Sequence, residues 1–280
     1  MIILALALAA AIPDLKAGQT VTLGPGPYEM IVIRGKTFNP PVTIEAGKTR
    51  IKGLRIWDSS GIIVRGGIVQ APMGRDGHGP NVYGADVRKS DRVTFDGTTF
   101  TESLRGAVIA DTTNLVVRNA LFTGLRSDGI NVAGSSHVLL ENNRFTDFTP
   151  VKATGSKADK TWKDGDHPDA IQLWNTPNNH SGTDIVIRGN VIDGDTQGIN
   201  FFGPRFDGYS NVTVENNDVR ITYPAAISVL GCDSCKVRNN RVSAIPGSRF
   251  KTNVRFDGSV GVVCGNAMRD IPAHMAAKRC

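Results

Sequence analysis

Apolar residues in this chain fall on alternate positions, and the pattern recurs at one spacing. Ile62/Val64, Val93/Phe95, Leu115/Val117, Val138/Leu140, Ile185/Ile187, Val212/Val214 and Cys235/Val237 each form such a pair, with Gly or Asn just beyond. A period of two marks a strand with one buried face. It excludes a helix in these windows, as do the frequent Gly and Asn. Most steps between pairs are about 22–27 residues, a period that belongs to solenoids. The steps after Ile62 and after Val138 are longer and must hold insertions.

Each repeat carries a second apolar pair: Ala107/Ile109, Ile130/Val132, Ile171/Leu173, Ile199/Phe201 and Ile227/Val229. Strand side chains alternate faces, so these pairs point inward, and Val108, Asn131, Gln172, Asn200 and Ser228 point outward. Asn143, Asn190, Asn217 and Asn240 recur just after the first pair. Asn tolerates the left-handed backbone of a tight turn, and its amide can bond to the coil above, which predicts an internal Asn ladder. Phe122, Phe145, Ile192, Val219 and Val242 follow as further core positions. Two or three short strands per turn predict an all-β, single-domain, right-handed parallel β-helix of about 8–10 coils. The domain spans residues 12–280, with irregular entry coils at Val21/Leu23, Ile31/Ile33 and Val42/Ile44. A loop is inserted near 149–166, and residues 268–280 are expected to cap the open end, where bare strand edges would invite aggregation.

The 280 residues contain no linker, and the net charge is +6. A basic balance favours anionic partners. Lys/Arg runs, zinc-finger spacing and aromatic–basic strand motifs are absent, which argues against nucleic acid. An acidic polysaccharide fits the diffuse charge better. Residues 1–11 form an apolar run ending in Ala9-Ala10-Ala11, which resembles the remnant of a secretory signal peptide and predicts a secreted or periplasmic protein. No membrane span is expected, and the domain is read as a monomer. Export would permit disulfides among Cys232, Cys235, Cys264 and Cys280. Cys232 and Cys235 are close enough to pair, whereas their place in a turn of a β repeat argues against a redox motif. Only one pair has ligand-like spacing, which argues against zinc.

With this pattern in view, the chain resembles the right-handed parallel β-helix (pectate-lyase-like) superfamily over nearly its whole length. Gly165-Asp166-His167-Pro168-Asp169-Ala170-Ile171-Gln172 and Thr196-Gln197-Gly198-Ile199 resemble signatures of bacterial right-handed β-helix repeat proteins. The superfamily includes pectate and alginate lyases, alginate epimerases, polygalacturonases and phage tailspikes, so fold alone does not choose an activity.

The insertion carries Lys152, Lys157, Lys160, Trp162, Lys163, Asp164 and Asp166, and rejoins the solenoid at His167-Pro168-Asp169. Long loops on a rigid scaffold often carry function; the alternative is a plain surface loop. Aligning the repeats stacks Asp128, Asp169 and Gln197, each just before an inward pair. Strands about 4.8 Å apart would set the two carboxylates about 5–7 Å from one another. That spacing suits paired carboxylate chemistry or a shared cation, and like charges so close would raise one pKa. His167 and Asp166 are expected to flank the pair. Asn131, Gln172 and Asn200 would offer amides to sugar hydroxyls. Trp174, Phe202 and Leu230 form an outward column for stacking, unless the following loops cover it. Arg126 and Arg205 are candidates for gripping uronate carboxylates, with Lys163 and Gln197 as further binding groups. Arg75-Asp76-Gly77-His78-Gly79, in the lengthened first step, is either another subsite or simply a turn.

The leading expectation is lyase or epimerase chemistry on an acidic, uronate-containing polysaccharide, centred on His167, Asp169, Asp128 and Asp166. Asp166-His167-x-Asp169 is similar in kind to the Asp-x-His arrangement of alginate epimerases, with different spacing and no preceding Tyr. The first alternative is an inverting glycoside hydrolase. Ser127-Asp128-Gly129-Ile130-Asn131-Val132 resembles the polygalacturonase Asn-Thr-Asp-Gly segment, with Asp166 and Asp169 as its paired Asp; Gln197 stands where that family has His. The second alternative is a non-catalytic glycan-binding or structural β-helix. The motifs demand no cofactor, calcium between the carboxylates being the one left open; metal ligands stay unassigned.

Overall fold

The structure, a computed structural model, describes residues 12–75, 77–175, 182–202, 208–248 and 252–269. Every named element among them is a β-strand. One sheet has nine strands, joined in parallel: Ile31–Arg34, Leu54–Trp57, Tyr83–Arg88, Arg105–Ala110, Ile130–Ala133, Asp169–Trp174, Gln197–Phe202, Ala225–Leu230 and Asn253–Asp257. Each coil contributes one of these strands, which gives nine coils among the described residues. An 18-stranded sheet holds the other strands of each coil.

The inward pairs do what their alternation predicts. Ile62, Val93, Leu115, Val138, Ile185 and Val212 pair in one register, and all are buried. Ala107, Ile130, Ile171, Ile199 and Ile227 form the facing column of the nine-stranded sheet. Phe100, Phe122 and Phe145 stack ring on ring with centroids 4.7 Å apart, the spacing of the coils themselves. No coil can bury these faces alone, so stability comes from neighbour on neighbour.

The Asn ladder is present. Asn143 donates to Asn190 at 3.0 Å, Asn190 to Asn217 and Asn217 to Asn240 at 2.9 Å, and Asn240 to Asn266 at 2.8 Å. The left-handed residues, however, are their predecessors: Asn142, Gly189, Asn216 and Asn239 have φ of +55, +64, +55 and +56°. One residue bends the turn, and the next turns inward to bond the adjacent coil. The Asn column therefore divides two jobs that the periodicity assigned to one position.

The expected loop near 149–166 lies between the strands Arg144–Thr146 and Asp169–Trp174 and carries an antiparallel bridge between Thr154 and Lys163. The lengthened first step contains a similar turn, with Met73 bridged to Pro80 and the Gly74 N–H bonded to the Gly79 carbonyl at 2.8 Å. Arg75 and His78 are exposed on it, and Asp76 lies outside the described residues. Cys232 and Cys235 are joined by a disulfide, and none of the described cysteines is a free thiol. Residues 1–11, Cys280 and nearly all of the expected cap lie outside the described residues.

Candidate functional site

The stacked column on the nine-stranded sheet forms as aligned. Asp169 pairs with Gln197. The Gly129 N–H bonds the Asp169 carbonyl at 2.8 Å, and the Gly106 N–H bonds that of Asp128 at 2.9 Å. Arg105, Asp128, Asp169 and Gln197 thus occupy successive coils. The approach is tight: a Cβ on Gly129 would lie 2.4 Å from the Ala170 carbonyl oxygen, so no larger residue fits between the two acids' strands.

Asp128 and Asp169 are each 1% exposed. The Asp169 N–H donates to Asp128 Oδ1 at 3.0 Å. Arg105 Nε lies 2.9 Å from Asp128 Oδ2 as an ion pair, and Asn131 Nδ2 donates to the same oxygen at 3.1 Å. Asp169 receives Gln172 Nε2 at 3.0 Å and Asn200 Nδ2 at 2.6 Å. Asn131 also donates to Gln172 Oε1, so amides link the two carboxyls into one network. Burial pushes the Asp169 carboxyl up, the nearby Asp128 charge adds to it, and the amide bonds of Asn200 and Gln172 only partly offset them; the result is about 8. Burial raises Asp128 as well, opposed chiefly by Arg105. With its carboxyl near 8, Asp169 holds a proton at neutral pH, and Asp128 is the member ion-paired with Arg105.

Arg105 is the residue the sequence reading missed. It completes the column one coil before Asp128, with its guanidinium 5.7 Å from the Tyr83 ring centroid. The signal was there: Arg105-Gly106-Ala107 repeats the register of Asp128-Gly129-Ile130.

The other expected members are distributed differently. Asn131, Gln172 and Asn200 point outward from the sheet yet are buried, and their amide N–H groups are spent on the carboxylates. This corrects the expectation that they stand open to sugar hydroxyls. The Oδ1 atoms of Asn131 and Asn200 have no hydrogen-bond partner among the described residues. Asp166 does not flank the pair: it accepts Arg126 Nε and the Val151 N–H, both at 2.9 Å. Arg126 is accordingly engaged with Asp166. The His167 side chain is 67% exposed and bonds Asp164 at 3.1 Å, because the backbone bond from Asp166 to Val151 turns the loop end outward. Lys163 is exposed on the same loop, and Lys152 pairs with Asp195. Trp174 stands 43% exposed, its ring 6.0 Å from Phe202 and tilted 39°, so the aromatic column is open at this point. Gln197 is half-buried beside Asp169, and Arg205 lies outside the described residues.

Among the described residues, no three or more His, Cys, Asp or Glu side chains gather as a metal site. A cation at the pair would draw on two carboxylates and the amide oxygens of Asn131 and Asn200.

This is a parallel β-helix with a buried acid pair in one column of its outer sheet face. Residues 45–242 match the family model of the right-handed β-helix region, and the chain belongs to that family. No curated protein matches the chain in sequence. Among solved structures, it is similar to a periplasmic alginate epimerase, with TM-score 0.59 and 11% identity, over 94% of this chain and 64% of that one. It is also similar to the tailspike protein of an E. coli bacteriophage in complex with pentasaccharide, with TM-score 0.55 and 14% identity, over 91% of this chain and 51% of that one. The Dettilon tailspike gives 0.53 and 12%, over 89% and 54%. The chain thus spans less than two thirds of the length of each, and at these identities the likeness is one of fold. Among the described residues, no helix is long and apolar enough to cross a membrane.

Proposed function

We propose that this β-helix acts on an acidic, uronate-containing polysaccharide laid along the outer face of the nine-stranded sheet, with Asp128 and Asp169 as its acid–base pair. One observation carries the reading: two buried carboxyls stand in adjacent coils, Asp169 raised to about 8 and bonded through its N–H to Asp128, which is ion-paired with Arg105. Neighbouring groups driven apart in pKa are the means by which one site both gives and takes a proton. Trp174 supplies an open ring next to the pair's strands. The net charge of +6 favours an acidic polymer. Two structures of like fold are named as an alginate epimerase and a tailspike holding a pentasaccharide, which supports a glycan ligand. The protein is read as a secreted or periplasmic monomer.

Uronate chemistry of this class removes the proton beside the sugar carboxylate. Loss of the neighbouring C–O bond, with a proton passing to the departing oxygen, gives a lyase; return of the proton to the opposite face gives an epimerase. A base and a donor that neutralises the substrate carboxylate are both needed. Arg126 and Arg105 already face this chain's own carboxylates, so the protonated Asp169 is the donor we assign. Asp128, the other member of the pair, is then the base we assign; His167 on the loop is the alternative and would have to leave Asp164 to serve. Inverting hydrolysis is the alternative for the same acid pair.

A second reading has its own observation. Carboxyls that are 1% exposed would reach a sugar only after the covering groups move, and a glycan-binding protein with a structural acid pair needs no such motion. Incubation with alginate, polygalacturonate and other uronate polymers separates the readings. A lyase yields product absorbing in the ultraviolet, an epimerase changes the uronate composition, and a hydrolase yields reducing ends without the absorbance. Retention by polymer with none of these supports binding alone. Activity that survives Asp169→Asn undiminished would remove the acid pair from the chemistry.

A further inference from the structure

Four strands from Trp174, the outward column of the same sheet face ends in a cationic cleft. Arg34 pairs with Trp57, Trp57 with Arg88, Arg88 with Ala110, Ala110 with Ala133, and Ala133 with Trp174. These residues form one line along the solenoid axis. Its middle is a floor of two alanines, its far end is Trp174 and Phe202, and its near end opens into a cleft of about 520 Å³ lined by Arg34, Trp57, Asp58, Asp86, Arg88 and Lys89.

The cleft is built from charge more than from stacking. The Arg34 guanidinium lies 5.7 Å from the Trp57 ring centroid, so the indole holds a cation over its face instead of offering that face to a sugar. Arg34 also meets Asp58 at 3.6 Å, with both side chains more than half exposed. Water screens such a pair, and it gives up its cation at little cost. Arg88 is anchored by its Nε to the buried Asp86 at 2.7 Å, which fixes a half-exposed guanidinium at the mouth. Lys89 is exposed beside it. Among the lining residues three cations face two carboxylates. The indole N–H of Trp57 is buried without a hydrogen-bond partner among the described residues.

We propose that this cleft is a distal subsite for a carboxylate-bearing sugar of the polymer that crosses Trp174. The inference rests on the glycan reading above and adds a direction and a length to it. From Trp57 to Trp174 there are four strand steps of about 4.8 Å, about 19 Å in all. A polymer advancing roughly one sugar per coil needs about five sugars to occupy both ends.

The test is calorimetric titration of the full chain with two-sugar and six-sugar oligogalacturonates and oligomannuronates, with maltohexaose as the neutral control. Lengthening the uronate from two to six sugars should raise affinity, and Arg88→Gln should remove about tenfold of that gain, or about 1.4 kcal/mol. Lys89→Gln, at an exposed position, should remove part of it and guards against misfolding of the first variant, which melting would reveal. A gain that persists undiminished in both variants, or maltohexaose bound as tightly as the charged hexamers, overturns the subsite while leaving the glycan reading standing. If the unaltered chain binds neither charged hexamer, both fall together.

Discussion

Substituting Asp169 by Asn tests the electrostatics of the site without any substrate. In the native chain the Asp169 carboxyl is raised from 3.8 to about 8 by burial and by Asp128. When the chain unfolds it returns to the ordinary carboxyl range. Between those two values the native state holds one more proton than the unfolded state. Stability therefore falls as pH rises, by about 1.4 kcal/mol per pH unit, and the loss is complete once pH exceeds the native value. From about pH 5.5 to about pH 7.5 this one group should cost about 2–3 kcal/mol. The amide of the Asp169→Asn variant cannot titrate. It can also be accommodated: the Asn200 Oδ1 lacks a partner among the described residues, so the Asn200 amide can turn to accept from the new amide. The assay is urea denaturation followed by circular dichroism across this range for both proteins. Their difference isolates the Asp128–Asp169 pair, because the titrating groups outside it are common to both. The wild-type chain should lose about 2 kcal/mol relative to the variant over the interval. Two parallel pH–stability curves would refute the protonated Asp169, and with it the assignment of that carboxyl as a donor.

Other outcomes follow from the same structure. Arg105→Gln leaves Asp128 buried beside Asp169 without its cation; discounted for the partly exposed guanidinium, the cost should be about 2 kcal/mol at neutral pH and should shrink on acidification, read from urea midpoints. Asn190→Ala removes the acceptor for both the backbone N–H and the amide of Asn143, and should cost about 2–4 kcal/mol, seen as a lower melting temperature. Trp174→Ala should leave melting within about 0.5 kcal/mol of wild type, since the ring is exposed, while weakening retention by a uronate polymer in gel-shift. Unchanged retention would take the aromatic column out of the binding face.

The coils and the acid column were legible because both follow from one number, the repeat length. Once Val93, Leu115 and Val138 are aligned, Asp128 and Asp169 have to stack. Arg105 obeyed the same ruler but carried the opposite charge, and a search for repeated acids passes over it. Alternation also tells direction without depth. Asn131, Gln172 and Asn200 do point outward, but their amides fold back onto carboxyls in the same column and are sealed by coils above and below. The position of His167 lay beyond the ruler altogether. It depends on backbone bonds inside the insertion, such as Asp166 to Val151, which no periodicity encodes.

Burial raises both acids, and the column adds what differs between them. In a solenoid, each residue of a column meets chiefly those one coil above and below. Asp128 lies between Arg105 and Asp169, so a cation balances one neighbour against the other. Asp169 lies between Asp128 and the neutral Gln197, so its only charged column neighbour has its own sign. The two acids have the same residue type and the same burial; their order in the column is what separates them. A cation at position 197 would hold Asp169 ionised, and a neutral residue at position 105 would leave both acids competing to be the protonated one. Acid–base asymmetry is thus set by four successive coils, Arg105 through Gln197, rather than by either Asp alone.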